Sequence, residues 1–237
     1  MSDTNTAEVL EVPSWVLIRH PGTKPEDWKP CGKGWAHVTA TIGICSTIGD
    51  DSTIGDGSRI GDGSTVGICS TIGDGSTIGI CSTIGDGSTI GDDSTIGNRS
   101  RIGNRSTIGI CSTIGDDSTI GDGSRIGDDS TIGNDSTIGD GSRIGNRSKW
   151  MVSPLNIQGS RHALYAVSLT ELGIGCRVYP VTEWLKRYKA IGRANGYTPE
   201  EIAEYGLHIK YAAKWLEANR HRILGEPKPE PQPQQGA

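Results

Sequence analysis

An aliphatic residue at every sixth position from Ile42 to Ile144, a Gly directly behind each one, and very few large side chains between them predict an all-β repeat protein. The expected fold is a left-handed parallel β-helix of about six coils with a small C-terminal α+β cap. The aliphatic slot is filled eighteen times without a break, by Ile everywhere except Val66, and Trp150 takes the next slot. Ser stands two residues before each of them from Ser46 to Ser148, so the consensus unit is Ser-Thr-Ile-Gly-Asp-Gly. With 5% aromatic residues, no Phe and 35 Gly, the chain cannot fill an ordinary core. Each unit must instead bury a little against its neighbour.

A period of six fits neither a helix nor a plain strand, but it fits a short strand followed by a corner. Ser and Ile, two apart, point inward together, and the Thr between them points outward. Gly and the next two residues turn the corner. Three sides close a triangular coil of eighteen residues. Stacked about 4.8 Å apart, the coils make a rod roughly 29 Å long.

Four regions follow. Residues 1–37 form an N-terminal cap with Trp15, Trp28, Trp35 and Cys31; 38–150 are the β-helix; 151–224 form the α+β cap; 225–237, rich in Pro and Gln, form a disordered tail. In the C-terminal cap, His162–Leu169 and Gly173–Val181 alternate like a hairpin. Thr182 is expected to cap a helix with Trp184, Leu185, Tyr188 and Ile191 on one side. Thr198-Pro199-Glu200-Glu201 is a strong helix start, and Ile202, Tyr205, Ile209, Ala212, Ala213 and Leu216 share the face of the helix behind it.

The repeat resembles the hexapeptide-repeat family, whose signature is an aliphatic residue, a small one, two free positions and a small one. The calcium-binding β-roll is also rich in Gly and Asp, but its nine-residue period excludes it. The hairpin with Gly175-Cys176-Arg177 followed by helices is similar to the C-terminal module of phage or prophage proteins that also carry a hexapeptide β-helix. That second resemblance brings no activity with it. The first implies an acyltransferase, with a His as general base, or a γ-class carbonic anhydrase, with three His on a metal.

The residues argue against both. The five His are His20, His37, His162, His208 and His221, and none lies between 42 and 149. His37 stands alone at the entrance of the rod and reads as structural. Only His37 and His162 could face a neighbouring subunit, near the first and last coils. No catalytic residue, metal site or cofactor is expected, and no His-dependent acyl transfer. Cys45, Cys69, Cys81 and Cys111 repeat at one phase of the unit but spread over three corners, too far apart for a disulfide or a shared metal. Stacked corner carboxylates (Asp50, Asp86, Asp122, Asp140; Asp56, Asp74, Asp92, Asp128) read as a solvated acidic edge rather than a cation site.

Two surfaces remain as candidates. The outward Thr columns put Thr53, Thr71, Thr89 and Thr107 on one side and Thr77, Thr95, Thr113 and Thr131 on a second. Arg99, Arg101 and Arg105 form a basic patch at mid-rod. Arg125, Arg143, Arg147 and Lys149 form another, which could dock the cap through Glu183, Glu200, Glu201 and Glu204. The expected function is a non-catalytic structural or binding scaffold. The alternatives are an acyltransferase-like enzyme with an intersubunit site and an ice-binding protein that uses its Thr ladders. The expected partner is another protein or further copies of the chain, a homotrimer being one form. A net charge of −5 speaks against nucleic acid, and the acidic start without an apolar run speaks against a membrane and for the cytoplasm.

Overall fold

The computed structural model describes residues 11–227, so most of the expected tail and the first ten residues lie outside it. Residues 34–150 wind into a left-handed parallel β-helix of about six coils. Strands of two residues, an outward Thr or Arg and an inward Ile, stack in strict eighteen-residue register: Thr95 and Ile96 lie between Thr77 and Ile78 below and Thr113 and Ile114 above. The three faces are long parallel sheets. The first begins one unit before the sequence signature does: Gly34–His37 pairs with Thr53–Ile54 and sets Ala36 in the aliphatic slot. An antiparallel partner, Trp28–Cys31, closes that end.

The inward positions explain the sequence. The Ile column is almost wholly buried from Ile54 to Ile144, each side chain contributing about 2 kcal/mol through burial. The Ser beside it is buried as well, and it is satisfied. Ser94 Oγ donates to Gly109 O at 2.7 Å and accepts from Ser112 N at 3.2 Å, and the same ladder recurs along the rod. Backbone bonds run both ways between coils. Thr95 N reaches Ser112 O and Gly97 N reaches Ile114 O, both at 2.8 Å, while the corner residue Arg99 N reaches down to Ile80 O at 2.8 Å. An array with this pairing leaves few orphaned polar groups inside.

The corners account for the rest of the unit. The residue before each Ser sits in the left-handed region, which favours Gly, yet Cys, Asp and Arg occupy twelve of these positions. The residue before that is mostly Asp or Asn, and its side chain accepts a backbone N–H from the coil below: Asp74 Oδ1 from Asp56 N at 2.9 Å, Asp92 Oδ1 from Asp74 N at 3.0 Å. These stacked carboxylates are held by backbone donors and need no cation. Among the described residues no group of His, Cys, Asp or Glu is arranged to hold a metal.

The C-terminal cap differs in detail from expectation. Its sheet has four antiparallel strands, Asn156–Gln158, Ala163–Ala166, Glu171–Ile174 and Arg177–Pro180. What reads as the second arm of a hairpin is thus two strands, split where Gly175 takes a positive φ. The first helix, α2 (Val181–Ala194), starts ahead of Thr182, which does not cap it. The second, α3 (Pro199–Leu224), starts as predicted: Thr198 accepts from Glu201 N and the Glu201 side chain reaches back to Thr198 N. The expected docking of Arg125, Arg143, Arg147 and Lys149 onto cap carboxylates does not occur among the described residues. Glu183 pairs with Arg187, Glu201 with Arg161, and Arg147 with Asp129. The cap docks through apolar surface, because the open end of an Ile column needs a lid. Trp150 fills the last rung at 1% exposure, and the rod core runs on into Leu164, Leu172, Trp184 and Ile223.

Removal of Ser64 to Cys81 takes out eighteen residues, one whole coil, and should leave the far-ultraviolet circular dichroism and the melting temperature nearly unchanged, since stability in such arrays is a sum of nearest-neighbour terms. Unfolding of this deletion variant would contradict the register given above.

Candidate functional site

The two surfaces expected from sequence fare differently. Thr89, Thr95, Thr107 and Thr113 stand exposed on their faces, whereas Thr71, Thr77 and Thr131 are half-buried. Thr53 is not part of the surface at all: it is 0% exposed and its hydroxyl has no partner among the described residues. The N-terminal segment covers it. Arg19 Nη1 donates to Asp51 O at one edge of this face, His20 reaches Asp74 at the other, and Trp35 stacks on the rung below. The basic patch is smaller than its three residues suggest. Arg99 grips Asp117 one coil on with two hydrogen bonds, 2.7 and 2.6 Å, which hold the Asp117 carboxyl below its usual range. Arg101 and Arg105 stay exposed.

The same N-terminal segment builds a site that sequence reading missed. Helix α1 (Ser14–Arg19) ends at His20, and the strand Gly34–His37 ends at His37. Trp28 stands between the two imidazoles, its ring centroid 4.7 Å from that of His20 and 5.6 Å from that of His37. Both His are nearly buried, and each turns Nδ1 toward one carboxylate of the same corner stack. His20 Nδ1 lies 3.5 Å from Asp74, and His37 Nδ1 lies 3.3 Å from Asp56. Burial holds the His20 pKa below the ordinary 6.5, against the pull of Asp74.

At His37 both the hydroxyl and the backbone N–H of Thr39 meet Nδ1. Thr39 Oγ1 has one proton and gives it to Asp56 Oδ1 at 2.5 Å, while accepting from Gly57 N at 2.8 Å. With Nδ1 protonated, the 2.8 Å contact between His37 Nδ1 and Thr39 Oγ1 is donated by Nδ1–H and the lone pair lies on Nε2; in the other tautomer Nδ1 accepts from the Thr39 backbone N–H, 3.4 Å away. His37 therefore does not stand alone. His20 lies seventeen residues before it and Asp74 fifty-four after His20, separations with no local signature in the sequence. His162, by contrast, lies in the cap beside Tyr197 and Tyr205.

Residues 69–104, 99–134 and 111–146 match the model of the bacterial transferase hexapeptide (six repeats) family. No curated protein matches the chain by sequence. Among solved structures, a hexapeptide transferase family protein from Anaplasma phagocytophilum is similar at 18% identity over 77% of this chain and 90% of that one, with a TM-score of 0.47. The acetyltransferase domain of PglB from Neisseria gonorrhoeae is similar at 24% identity over 42% and 54%, with a TM-score of 0.35. Perosamine N-acetyltransferase from Caulobacter crescentus is similar at 17% identity over 48% and 52%, also at 0.35. The chain spans about half the length of these two acetyltransferases. The non-catalytic scaffold expected from sequence is corrected at this point, because residues 69–146 match the model of a transferase repeat family. The matches to that family model together cover residues 69–146 of the rod.

Proposed function

We propose that the protein is an acyltransferase-like hexapeptide enzyme whose site is completed by a neighbouring subunit. The observation that carries this reading is the Asp56–Thr39–His37 chain at the first coil, in which Nε2 of His37 is the base when Nδ1 donates to Thr39. In the reaction, Nε2 takes the proton from an amine or hydroxyl as that group attacks the carbonyl of an acyl thioester. The acyl group forms its new amide or ester bond as the thiolate leaves, and the sulfur is then protonated by Nε2–H. Asp56, 3.3 Å from Nδ1, offsets the positive charge that His37 carries while Nε2 holds the proton. The exposed Thr columns, Thr89 and Thr107 on one face and Thr95 and Thr113 on another, offer flat surfaces for packing a second and third copy. The module at 151–224 is further proposed to be of the phage or prophage type, a reading supported by the Gly175-Cys176-Arg177 turn between two strands and the helices that follow.

The test mixes the full chain with acetyl-coenzyme A and a panel of amines and alcohols and follows acylated product by mass spectrometry. Thiol reagents are unsuitable because all six Cys are free. Turnover should fall by about 10²–10⁴ in His37→Ala, the usual contribution of a general base, and by less in Asp56→Asn. Absence of product with every acceptor, or turnover untouched by His37→Ala, would reject the proposal.

A further inference from the structure

The C-terminal cap contains a cavity. It opens between the sheet and the two helices, and its volume is ≈ 130 Å³. That is close to the size of an apolar cavity that takes up a single benzene ring, about 150 Å³. Its walls are apolar: Ile174 from the sheet, Trp184 and Ile191 from α2, and Ile202 and Tyr205 from α3. The polar ends of the two aromatic walls are already engaged. Trp184 Nε1 donates to Leu172 O at 2.8 Å. Tyr205 Oη donates to His162 O and accepts from the backbone N–H groups of Arg161 and His162. Tyr188, Tyr197 and His162 line the cavity as well, so an occupant meets mostly ring faces and methyl groups, with a few polar groups beside them.

The rim is different. Arg161 and Arg177 both stand there, but they are not equivalent. Arg161 is committed: its guanidinium lies over the Tyr197 ring at 4.8 Å, donates to Gly196 O at 3.0 Å and sits 3.8 Å from Glu201. Arg177 is exposed and touches a neutral amide, Asn195 Oδ1, at 3.4 Å. Among the described residues no carboxylate lies within ion-pair distance of it. A cavity the size of one ring, walled by apolar groups, with an unneutralised guanidinium at its mouth, selects an apolar ring that carries an acid group.

We infer that the cap binds a small aromatic carboxylate, with the ring in the cavity between the sheet and the two helices and the carboxylate on Arg177. The inference is independent of acyl transfer at His37, which lies at the other end of the rod. Cys176, exposed and also on the rim, makes it testable. A ligand seated at Arg177 would shield this thiol, whereas the exposed Cys45, Cys69, Cys81 and Cys111 on the rod serve as references in the same molecule.

The full chain is alkylated with iodoacetamide in the presence of benzoate, or of neutral benzamide, and each Cys is quantified by peptide mass spectrometry. Saturating benzoate should slow alkylation of Cys176 several-fold and leave the four rod Cys unchanged, and benzamide should protect less at equal concentration. Arg177→Gln should bring benzoate down to the benzamide level. Ile191→Trp, at a partly exposed helix position, should fill the cavity and remove protection by both. If that variant does not fold by circular dichroism, Arg177→Gln decides. Protection of Cys176 no greater than that of the rod Cys overturns the inference. So does equal protection by benzoate and benzamide, or benzoate protection that survives Arg177→Gln.

Discussion

Changing Ile96 to Asp should destabilise the rod by about 4 kcal/mol or more, while changing its neighbour Thr95 to Asp should cost under about 1 kcal/mol. The two positions are adjacent in the chain but on opposite sides of a two-residue strand. Ile96 is 0% exposed, with Ile78 and Ile114 in the rungs below and above it. A carboxylate there loses water and gains no donor, because the nearby buried Ser hydroxyls are already spent on Gly carbonyls and on the Ser N–H of the next coil. Thr95 faces solvent between Thr77 and Thr113, so an Asp at that position meets no stacked charge. In thermal unfolding, Ile96→Asp should lower the melting temperature by roughly 10 °C. Equal shifts for the two variants would mean that the inside and outside of the rod are misassigned.

The second large effect lies in the two kinds of Gly within the unit. Gly97 follows Ile96 at the start of a corner, and a Cβ on it would stand 2.5 Å from Asp116 N and 2.6 Å from Gly115 C, both backbone atoms of the next coil. Neither can yield without parting the coils, so Gly97→Ala should cost about 3 kcal/mol, in the range of overpacked cores. Gly123 ends a corner at φ +67°, and a Cβ there meets nothing within 4 Å. Gly123→Ala should cost only about 1 kcal/mol, from the left-handed backbone alone. Denaturant midpoints of the two variants measure the contrast. The chain already reflects it: Gly follows every inward Ile of the repeat, while Cys, Asp and Arg share with Gly the corner position before each Ser.

These effects show why the rod was legible before any coordinates. A period of six with an aliphatic residue, a small one and a corner is a complete local instruction, repeated until one stacking of coils buries the sixth-position Ile column and pairs its strands. The capping box at Thr198 and Glu201 was legible for the same reason, since its parts are three residues apart. Where the signal was weaker, the reading slipped. The cap sheet has four strands instead of a hairpin, because alternation alone cannot show that a turn at Gly175 divides one run into two strands.

The coil, the face on which each repeat side chain lies and the apolar column that holds the rod together all follow from spacing within a few residues. Which surfaces remain open and which polar groups meet depend instead on the folded arrangement of distant segments. It buried Thr53 beneath the N-terminal segment and turned Arg99 onto Asp117, eighteen residues away. It brought His20 and His37 to carboxylates of one corner stack, and it closed a cavity between the cap sheet and its helices. The physical reason is distance along the chain. A contact between residues many positions apart leaves no period to read, so a His that looks solitary in the sequence becomes part of a hydrogen-bonded base only when the coil brings Asp56 beside it.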